Sequence, residues 1–374
     1  MEKIKLLCLV ILATVFAVNL TTQAQSGYQD RLNQVKDLVN SNELIMIWSQ
    51  GENSNNQFCY QRIYDLDLTN PGGTDSTLVR KPLQIDSSVT GNKNLAVTSG
   101  NFLDGEYKNL VAAWETADNT VRVSVPEIDS ATLSWTNTNE LTLNGLATYQ
   151  KNKIHVATGN FFGNAQEEFV VGFQGQDTTI HLQIGSFNQG SLIPQLRGNI
   201  NDEPSFQSSL YLNNFDIVTG DFNSDGYDDI ALLFLKQVSP GNWGLWITIY
   251  TIDSGGNFVR RSSKQVFEEP SYYVSEVDID GIAGSFDNDA EMEIAYGFSF
   301  FQGEQSGNDT YVYFLDIKDN LDSIIVDDSK RVDENLVGPN EMEPFNIGAG
   351  DFDKDNHDEL GRSDTHLHGG TRSR

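Results

Sequence analysis

The chain of 374 residues carries 53 acidic and 24 basic residues, which gives a formal net charge of -29 at pH 7. This balance excludes a nucleic-acid-binding protein, because phosphate binding requires a basic surface. Hydrophobic residues make up 38% of the chain, with 21 Phe and 13 Tyr, so a sizeable core can be buried and global disorder is excluded.

The first 24 residues have the organisation of a secretory signal peptide. A basic start precedes an apolar run, and small residues lead to a predicted cleavage site after Ala24. We therefore expect a secreted, extracellular protein from which residues 1–24 are removed. Cys8 leaves with the signal, so Cys59 is the remaining cysteine and no intramolecular disulfide can form. No later segment reaches the length of about 18 uninterrupted apolar residues that a membrane span needs.

Residues 25–42 form the next predicted element. An amphipathic spacing in YQDRLNQVKDLVN, residues 28–40, predicts a short N-terminal helical segment that caps or precedes the main domain. Helical periodicity is confined to this segment, so the rest of the chain is predicted to be all-β.

A repeat of about 60 residues organises the main domain, predicted at residues 43–360. Each of five copies has a glycine, a Phe two residues later and an apolar residue ten after the glycine. The glycines are Gly100, Gly159, Gly220, Gly284 and Gly350. The Phe residues are Phe102, Phe161, Phe222, Phe286 and Phe352. We number the loops that follow these glycines from first to fifth.

Between the loops, apolar and polar residues alternate in short runs bounded by turn residues, which predicts half-buried strands. About four strands fit in each repeat, and repeated four-stranded antiparallel sheets are typical of a β-propeller. Two ring sizes stay open. In one, five blades close when residues 43–50 and the strands after them complete the last blade. In the other, the chain is part of a seven-bladed ring. After Leu360 the sequence predicts a polar tail, residues 361–374, with no second strand.

The third loop, within TGDFNSDGYDDIALLF, concentrates oxygen-bearing side chains at alternate positions. Gly226 makes the sharp turn, and the predicted ligands are Asp221, Asn223, Asp225, the carbonyl of Tyr227, and Asp229. Ca²⁺ takes six to eight oxygens at about 2.3 to 2.6 Å, which such a loop can offer. Without a cation, each close pair of carboxylates would repel by roughly 1 kcal/mol. The purely structural alternative is a solvated Asx turn that needs no metal.

With their Gly-x-Phe and D-x-D-x-D-G-type loops, the repeats resemble the FG-GAP family, whose calcium-binding propellers occur in integrin α chains and in secreted bacterial proteins. The resemblance implies Ca²⁺ in further loops. In the fifth loop it points to Asp351, Asp353, Asp355, the carbonyl of His357, and Glu359. In the fourth loop it points to Ser285, Asp287, Asp289, the carbonyl of Glu291, and Glu293.

Two copies depart from the metal-binding pattern. The second loop, with Asn160, Phe162, Asn164 and Glu168, has lost oxygen ligands. In the first loop Leu103 and Gly105 stand at ligand positions, so that loop is expected to be metal-free.

Catalytic signatures such as H-E-x-x-H, G-x-S-x-G and a P-loop are absent from the sequence. We therefore expect structural calcium in an extracellular binding or adhesion module, with a protein or glycan as partner. A propeller enzyme, a lyase or hydrolase acting on extracellular polysaccharide, is the alternative, and His155 or His181 would be its candidate base. Sugar platforms could come from Trp114, Trp135, Trp243 and Trp246, although packing between blades is the simpler role for strand aromatics.

Overall fold

The computed structural model describes residues 43–53, 56–65, 79–82, 95–102, 109–116, 118–129, 134–146, 154–164, 166–177, 179–187, 194–204, 215–239, 242–269, 277–287, 289, 291–301, 308–333, 345–351 and 357–364. The predicted signal peptide, residues 1–24, and the predicted helical segment, residues 25–42, lie outside these residues. The described part of the chain contains strands and no helix. It therefore has no helix that is long and apolar enough to cross a membrane.

In the described residues, twenty-one strands form six antiparallel sheets, which we number in chain order. Sheet 1 contains β1 (Glu43–Asn53), β2 (Asn56–Asp65) and β3 (Val79–Pro82). Sheet 2 contains β4 (Leu95–Gly100), β5 (Asn109–Glu115), β6 (Thr120–Asp129) and β7 (Ser134–Leu146). Sheet 3 contains β8 (His155–Gly159), β9 (Glu168–Gln174), β10 (Thr179–Phe187) and β11 (Pro194–Pro204).

Sheet 4 contains β12 (Phe215–Gly220), β13 (Asp229–Ser239), β14 (Asn242–Ile252) and β15 (Phe258–Glu269). Sheet 5 contains β16 (Val277–Gly284), β17 (Glu293–Phe301), β18 (Asn308–Lys318) and β19 (Ser323–Asp333). Sheet 6 contains β20 (Phe345–Gly350) and β21 (Glu359–Asp364). Strands follow chain order in every sheet, so the prediction of an all-β fold with repeated four-stranded sheets is confirmed.

Consecutive sheets pack through their first strands: β4 lies beside β8, β8 beside β12, β12 beside β16, and β16 beside β20. Apolar side chains fill the spaces between neighbouring sheets. The cluster that includes Val111 and Phe173 joins sheets 2 and 3, and the one with Leu182 and Phe234 joins sheets 3 and 4. Because each sheet buries side chains toward both neighbours, β9 is buried along its whole length.

The Gly-x-Phe spacing has a steric cause. In the second repeat, a Cβ built on Gly159 would lie 2.9 Å from the ring of Phe161, and on Gly284 it would lie 2.8 Å from the ring of Phe286. The first and third repeats have the same close approach. The ring therefore folds back over the end of the first strand, and only glycine leaves room for it.

One boundary of the predicted domain was wrong. The sequence predicted no second strand after Leu360, yet β21 continues to Asp364 and pairs with β20, with Ala349 opposite Leu360 and Phe345 opposite Asp364. Pairing of this kind uses backbone groups, so the polar side chains of Arg362 and Ser363 do not prevent it.

Candidate cation-binding loops

The second to fifth loops join the first and second strands of their sheets, and backbone hydrogen bonds link loops of neighbouring sheets. The N–H of Asp228 in the third loop donates to the carbonyl of Asn160 in the second loop (3.0 Å). Equivalent bonds run from Glu167 to Asn101, from Met292 to Asp221 and from Asp358 to Ser285. The candidate loops therefore form a connected series at one end of the sheets.

Acidic side chains reinforce three of these links. Glu167 Oε2 accepts from the N–H of Asn101 (3.1 Å). In the same way Asp228 Oδ2 accepts from Asn160 (2.6 Å), and Asp358 Oδ2 from Ser285 (3.0 Å). Sequence reasoning assigned these residues no role. The signal was present, because an acidic residue directly precedes the predicted ligand in each of these loops, but its partner lies more than sixty residues away.

A buried carboxylate stands where the second, third and fourth loops return to their sheets. Glu168, Asp229 and Glu293 are 1%, 2% and 5% exposed. One oxygen of Glu168 accepts from the N–H of Phe161 (3.0 Å), and one of Glu293 accepts from Phe286 (2.7 Å). Asp229 has the corresponding bond from the N–H of Phe222. The same Phe that covers the glycine thus anchors one carboxylate oxygen in each loop.

The loops differ in the hydrogen bonding of the second carboxylate oxygen. In the second loop the amide of Asn164 donates to Glu168 Oε1 (2.8 Å), so both oxygens have protein partners. In the third and fourth loops, Asp229 Oδ2 and Glu293 Oε1 are buried without a hydrogen-bond donor in the described part of the chain.

Burial raises the pKa of all three acids, and in Glu168 the hydrogen bonds from Asn164 and Phe161 oppose this rise. Burial raises the pKa of Asp229 to about 8, and the nearby charge of Asp225 adds to the effect. Burial likewise raises the pKa of Glu293 to about 7, with contributions from Asp287 and Asp289. A positive charge near these acids would favour their ionised forms.

The third loop turns tightly around its own carboxylates. Asp221 accepts through Oδ1 from the N–H of Asp225 (3.0 Å) and through Oδ2 from that of Gly226 (2.9 Å). Asp225 Oδ1 accepts from the N–H of Tyr227 (2.9 Å). Gly226 has φ of 86°, in agreement with its predicted role in the turn. Asn223 donates to Asp225 Oδ2 and to Asn320 Oδ1, both at 3.1 Å.

Three predicted ligands of the fourth loop come together. Carboxylate oxygens of Asp287, Asp289 and Glu293 lie within 4.8 Å of one another, a spacing that one cation can bridge. Asp287 Oδ1 accepts from the N–H of Asp289 (2.8 Å), and Asp289 Oδ1 from that of Glu291 (3.0 Å). Lys318 also reaches this loop, and its hydrogen bond lowers the pKa of Asp289. Ser285 is bound through its N–H to Asp358.

The fifth loop is described only at its ends. Asp351, His357 and Glu359 lie within the described residues, and Glu359 pairs with Gly350 across β20 and β21. Asp353 and Asp355 lie outside them, as do Leu103 and Gly105 of the first loop.

The candidate catalytic histidines are engaged in structural contacts. His155 Nδ1 lies 2.6 Å from Asp216 Oδ1, and both side chains are buried. Asp216 Oδ2 in turn accepts from the N–H of Gly281 in the next sheet (2.7 Å). His181 lies 3.0 Å from Asp177 and stacks on Phe173 with ring centroids 5.2 Å apart.

The candidate sugar platforms are mostly packed. Trp114 is 3% exposed, and Trp246 packs between sheets 3 and 4 with Lys236 Nζ 5.0 Å from its ring. The side chains of Trp135 and Trp243 lie outside the described residues. Tyr227, in contrast, is 48% exposed beside the third loop, although the sequence singled out its carbonyl alone.

No family model matches the sequence, and no curated protein matches it. The fold is similar to the crystal structure of AofleA from Arthrobotrys oligospora, with a TM-score of 0.50 and 10% identity over 91% of this chain and 80% of that one. A mutant of AofleA with three arginines replaced by alanine gives a TM-score of 0.52 and 11% identity over the same shares. At this identity the likeness concerns the repeated-sheet fold alone.

Proposed function

We propose that the chain is a secreted, calcium-binding β-propeller of FG-GAP type that acts as an extracellular binding or adhesion module for a protein or glycan. The observation that carries this proposal is the pair of buried oxygens, Asp229 Oδ2 and Glu293 Oε1, which lack a donor within the described residues. A buried charge without partners is costly, whereas Ca²⁺ takes such oxygens as ligands.

The second loop supports this reasoning as an internal control. Its carboxylate, Glu168, occupies the same position, but the amide of Asn164 satisfies the second oxygen. The loop that has lost its other oxygen ligands has thus gained a hydrogen-bond donor. The third and fourth loops keep their carboxylates and have no such donor on Asp229 Oδ2 or Glu293 Oε1 among the described residues.

The residues proposed to hold the ions follow the loop order. The third loop would use Asp221, Asn223, Asp225, the Tyr227 carbonyl and Asp229, and the fourth Ser285, Asp287, Asp289, the Glu291 carbonyl and Glu293. The fifth would use Asp351, Asp353, Asp355, the His357 carbonyl and Glu359. Bound calcium would neutralise the carboxylates of these loops and fix each turn, which is a structural role.

Ring closure belongs to the same proposal. Within the described residues β21 pairs with β20 alone, and we propose that strands of sheet 1 pair with its other edge. A last blade built from sheets 6 and 1 would leave no open edge between the chain termini. Closure of this kind would give five blades, whereas the alternative is part of a seven-bladed ring.

Calcium titration tests the metal sites. Isothermal titration calorimetry of chelator-treated protein should show at least two Ca²⁺ ions bound, and thermal unfolding should shift upward with calcium. A site filled at 100 times its Kd adds about 2.7 kcal/mol to the free energy of unfolding. Absence of binding, together with a melting temperature that does not respond to chelator, would refute the proposal.

A glycan and extracellular-protein screen, run with calcium and with chelator, tests the binding role. The exposed ring of Tyr227 makes the loop end the expected contact surface. Tyr227→Ala should weaken the binding of a ligand found in the screen while calcium binding persists. Val238→Ala is the control, because Val238 is similarly exposed, at 43%, near the opposite end of β13.

A further inference from the structure

The ammonium group of Lys318, the last residue of β18, lies against the fourth loop. Its Nζ donates to Asp289 Oδ2 (2.9 Å) and to Glu291 Oε2 (3.2 Å). It also lies 2.9 Å from Asp316 Oδ1. One protein cation is therefore shared by three carboxylates, and one of these, the carboxylate of Asp289, is itself a proposed calcium ligand.

Lys318 does not satisfy the deepest carboxylate of this loop. Glu293 Oε1 is buried and has no donor in the described part of the chain. The ammonium thus supplies positive charge to the exposed side of the loop, where Asp289 stands, and leaves the buried side without compensation. One carboxylate oxygen of Asp289 accepts a hydrogen bond from Lys318, and the other accepts one from the N–H of Glu291.

The third loop has different surroundings. The strand registers pair Ile230 with Tyr250 in sheet 4 and Ile294 with Leu315 in sheet 5. Lys318 is three residues after Leu315, so its counterpart in sheet 4 is Asp253. Asp253 closes its own turn by accepting from the N–H groups of Gly255 and Asn257, both at 2.8 Å. An acid stands there in place of the base.

We propose that Lys318 is a built-in counter-ion of the fourth loop, which holds the loop together without metal and competes with the divalent ion for it. This inference rests on the proposed calcium binding. Lys318 therefore sets the affinity of the fourth loop, through repulsion of the ion and through occupation of Asp289 Oδ2.

The test is calcium titration of chelator-treated full-length protein carrying Lys318→Met. Removal of a unit charge about 6 Å from a divalent ion in a watery setting should tighten one binding step by about tenfold. The gain should shrink between low salt and about 0.5 M salt, because exposed charges are screened. In chelator, the variant should melt at a lower temperature than the parent protein.

Two further variants assign the effect. Lys236→Met removes the same charge from β13, where Lys236 lies over Trp246, and should leave every calcium step unchanged. Glu293→Gln disables the fourth loop, and adding Lys318→Met to it should then produce no tighter step. If Glu293→Gln impairs folding, Asp287→Asn replaces it, because Asp287 is exposed.

The outcomes separate this inference from the proposed function. If the parent protein binds no calcium, the proposed function fails and the inference falls with it. If the parent binds calcium and Lys318→Met leaves all steps unchanged, or weakens one, Lys318 does not compete and the inference alone is overturned. A tenfold gain that persists in the Glu293→Gln background also overturns it, since the effect would then belong to another loop.

Discussion

Replacement of Asp229 by Asn isolates the cost of the buried carboxylate in the third loop. Burial raises the pKa of Asp229 from 3.8 to about 8. A pKa raised in the folded state means that stability is full below the unfolded pKa and is lost as pH rises toward the folded value. A pH of 7 lies about three units above the unfolded pKa, so the free energy of unfolding has fallen by roughly 4 kcal/mol.

An uncharged amide avoids this loss, but its NH₂ group then needs an acceptor, which returns about 1 to 2 kcal/mol. In chelator we therefore expect Asp229→Asn to stabilise the protein by about 2 kcal/mol, or a few degrees in melting temperature. In calcium the order reverses, because the variant loses a binding step that the parent protein keeps. Differential scanning calorimetry and calcium titration, both at pH 7, measure the two effects.

Glu168→Gln is the matched control. Glu168 is equally buried and burial raises its pKa too, but Asn164 and the N–H of Phe161 occupy its two oxygens and oppose that rise. A glutamine there places an NH₂ group against one of these donors, so the variant should lose about 1 to 3 kcal/mol with or without calcium. The reasoning is refuted if Asp229→Asn destabilises the calcium-free protein as much as Glu168→Gln does and leaves the number of calcium ions bound unchanged.

Three other results are expected. Asn164→Ala leaves Glu168 Oε1 without its donor, so urea unfolding should show a loss of about 1 to 3 kcal/mol that calcium does not restore. Asp216→Ala removes the acceptor of the Gly281 N–H and should cost at least as much by the same assay; an unchanged midpoint would contradict its bridging role. In chelator, the melting temperature should fall as the pH rises from about 4.5 to 7, since burial raises the pKa of Glu293 from 4.5 to about 7, whereas a flat profile would contradict that rise.

The repeated sheets were predictable because their signals are local. Alternation along each strand and the fixed distance from Gly159 to Phe161 are properties of short segments. The steric contact behind that spacing also forms within three residues. Local signals were less useful at the end of the chain, since the strand that ends at Asp364 depends on backbone pairing with β20 and not on apolar side chains.

Contacts across sheets could not be predicted from one sequence. The hydrogen bond from Lys318 to Asp289 joins residues 29 positions apart, and the one between Asn160 and Asp228 joins residues 68 positions apart. Neither distance follows from the repeat length of about 60 alone. In the second loop, the sequence indicated lost oxygen ligands but not the bond that compensates for them, because Asn164 could equally have been a solvated turn residue.

The boundary between sheets 4 and 5 differs from the boundary before it. Between sheets 3 and 4, the carboxylate of Asp228 accepts a hydrogen bond from the N–H of Asn160. The hydroxyl of Thr219 donates to the carbonyl of Thr158 (2.7 Å). In the next repeat Met292 and Ala283 stand at the positions of Asp228 and Thr219, and neither side chain can make the corresponding bond.

Sheets 4 and 5 are joined by apolar packing and by other polar contacts, such as the hydrogen bond from Lys264 Nζ to the carbonyl of Ile324 (2.6 Å). One continuous cluster of buried side chains spans the boundary, and within it Tyr296 and Tyr313 stack with centroids 5.3 Å apart. The two loops that flank this boundary are also those with unpartnered buried oxygens on Asp229 and Glu293 within the described residues. The Met292 N–H still donates to the carbonyl of Asp221 (3.2 Å), so an ion held by Asp221 or by Glu293 would order both sides of that bond. A divalent ion here would therefore add to the contacts that the protein makes by itself.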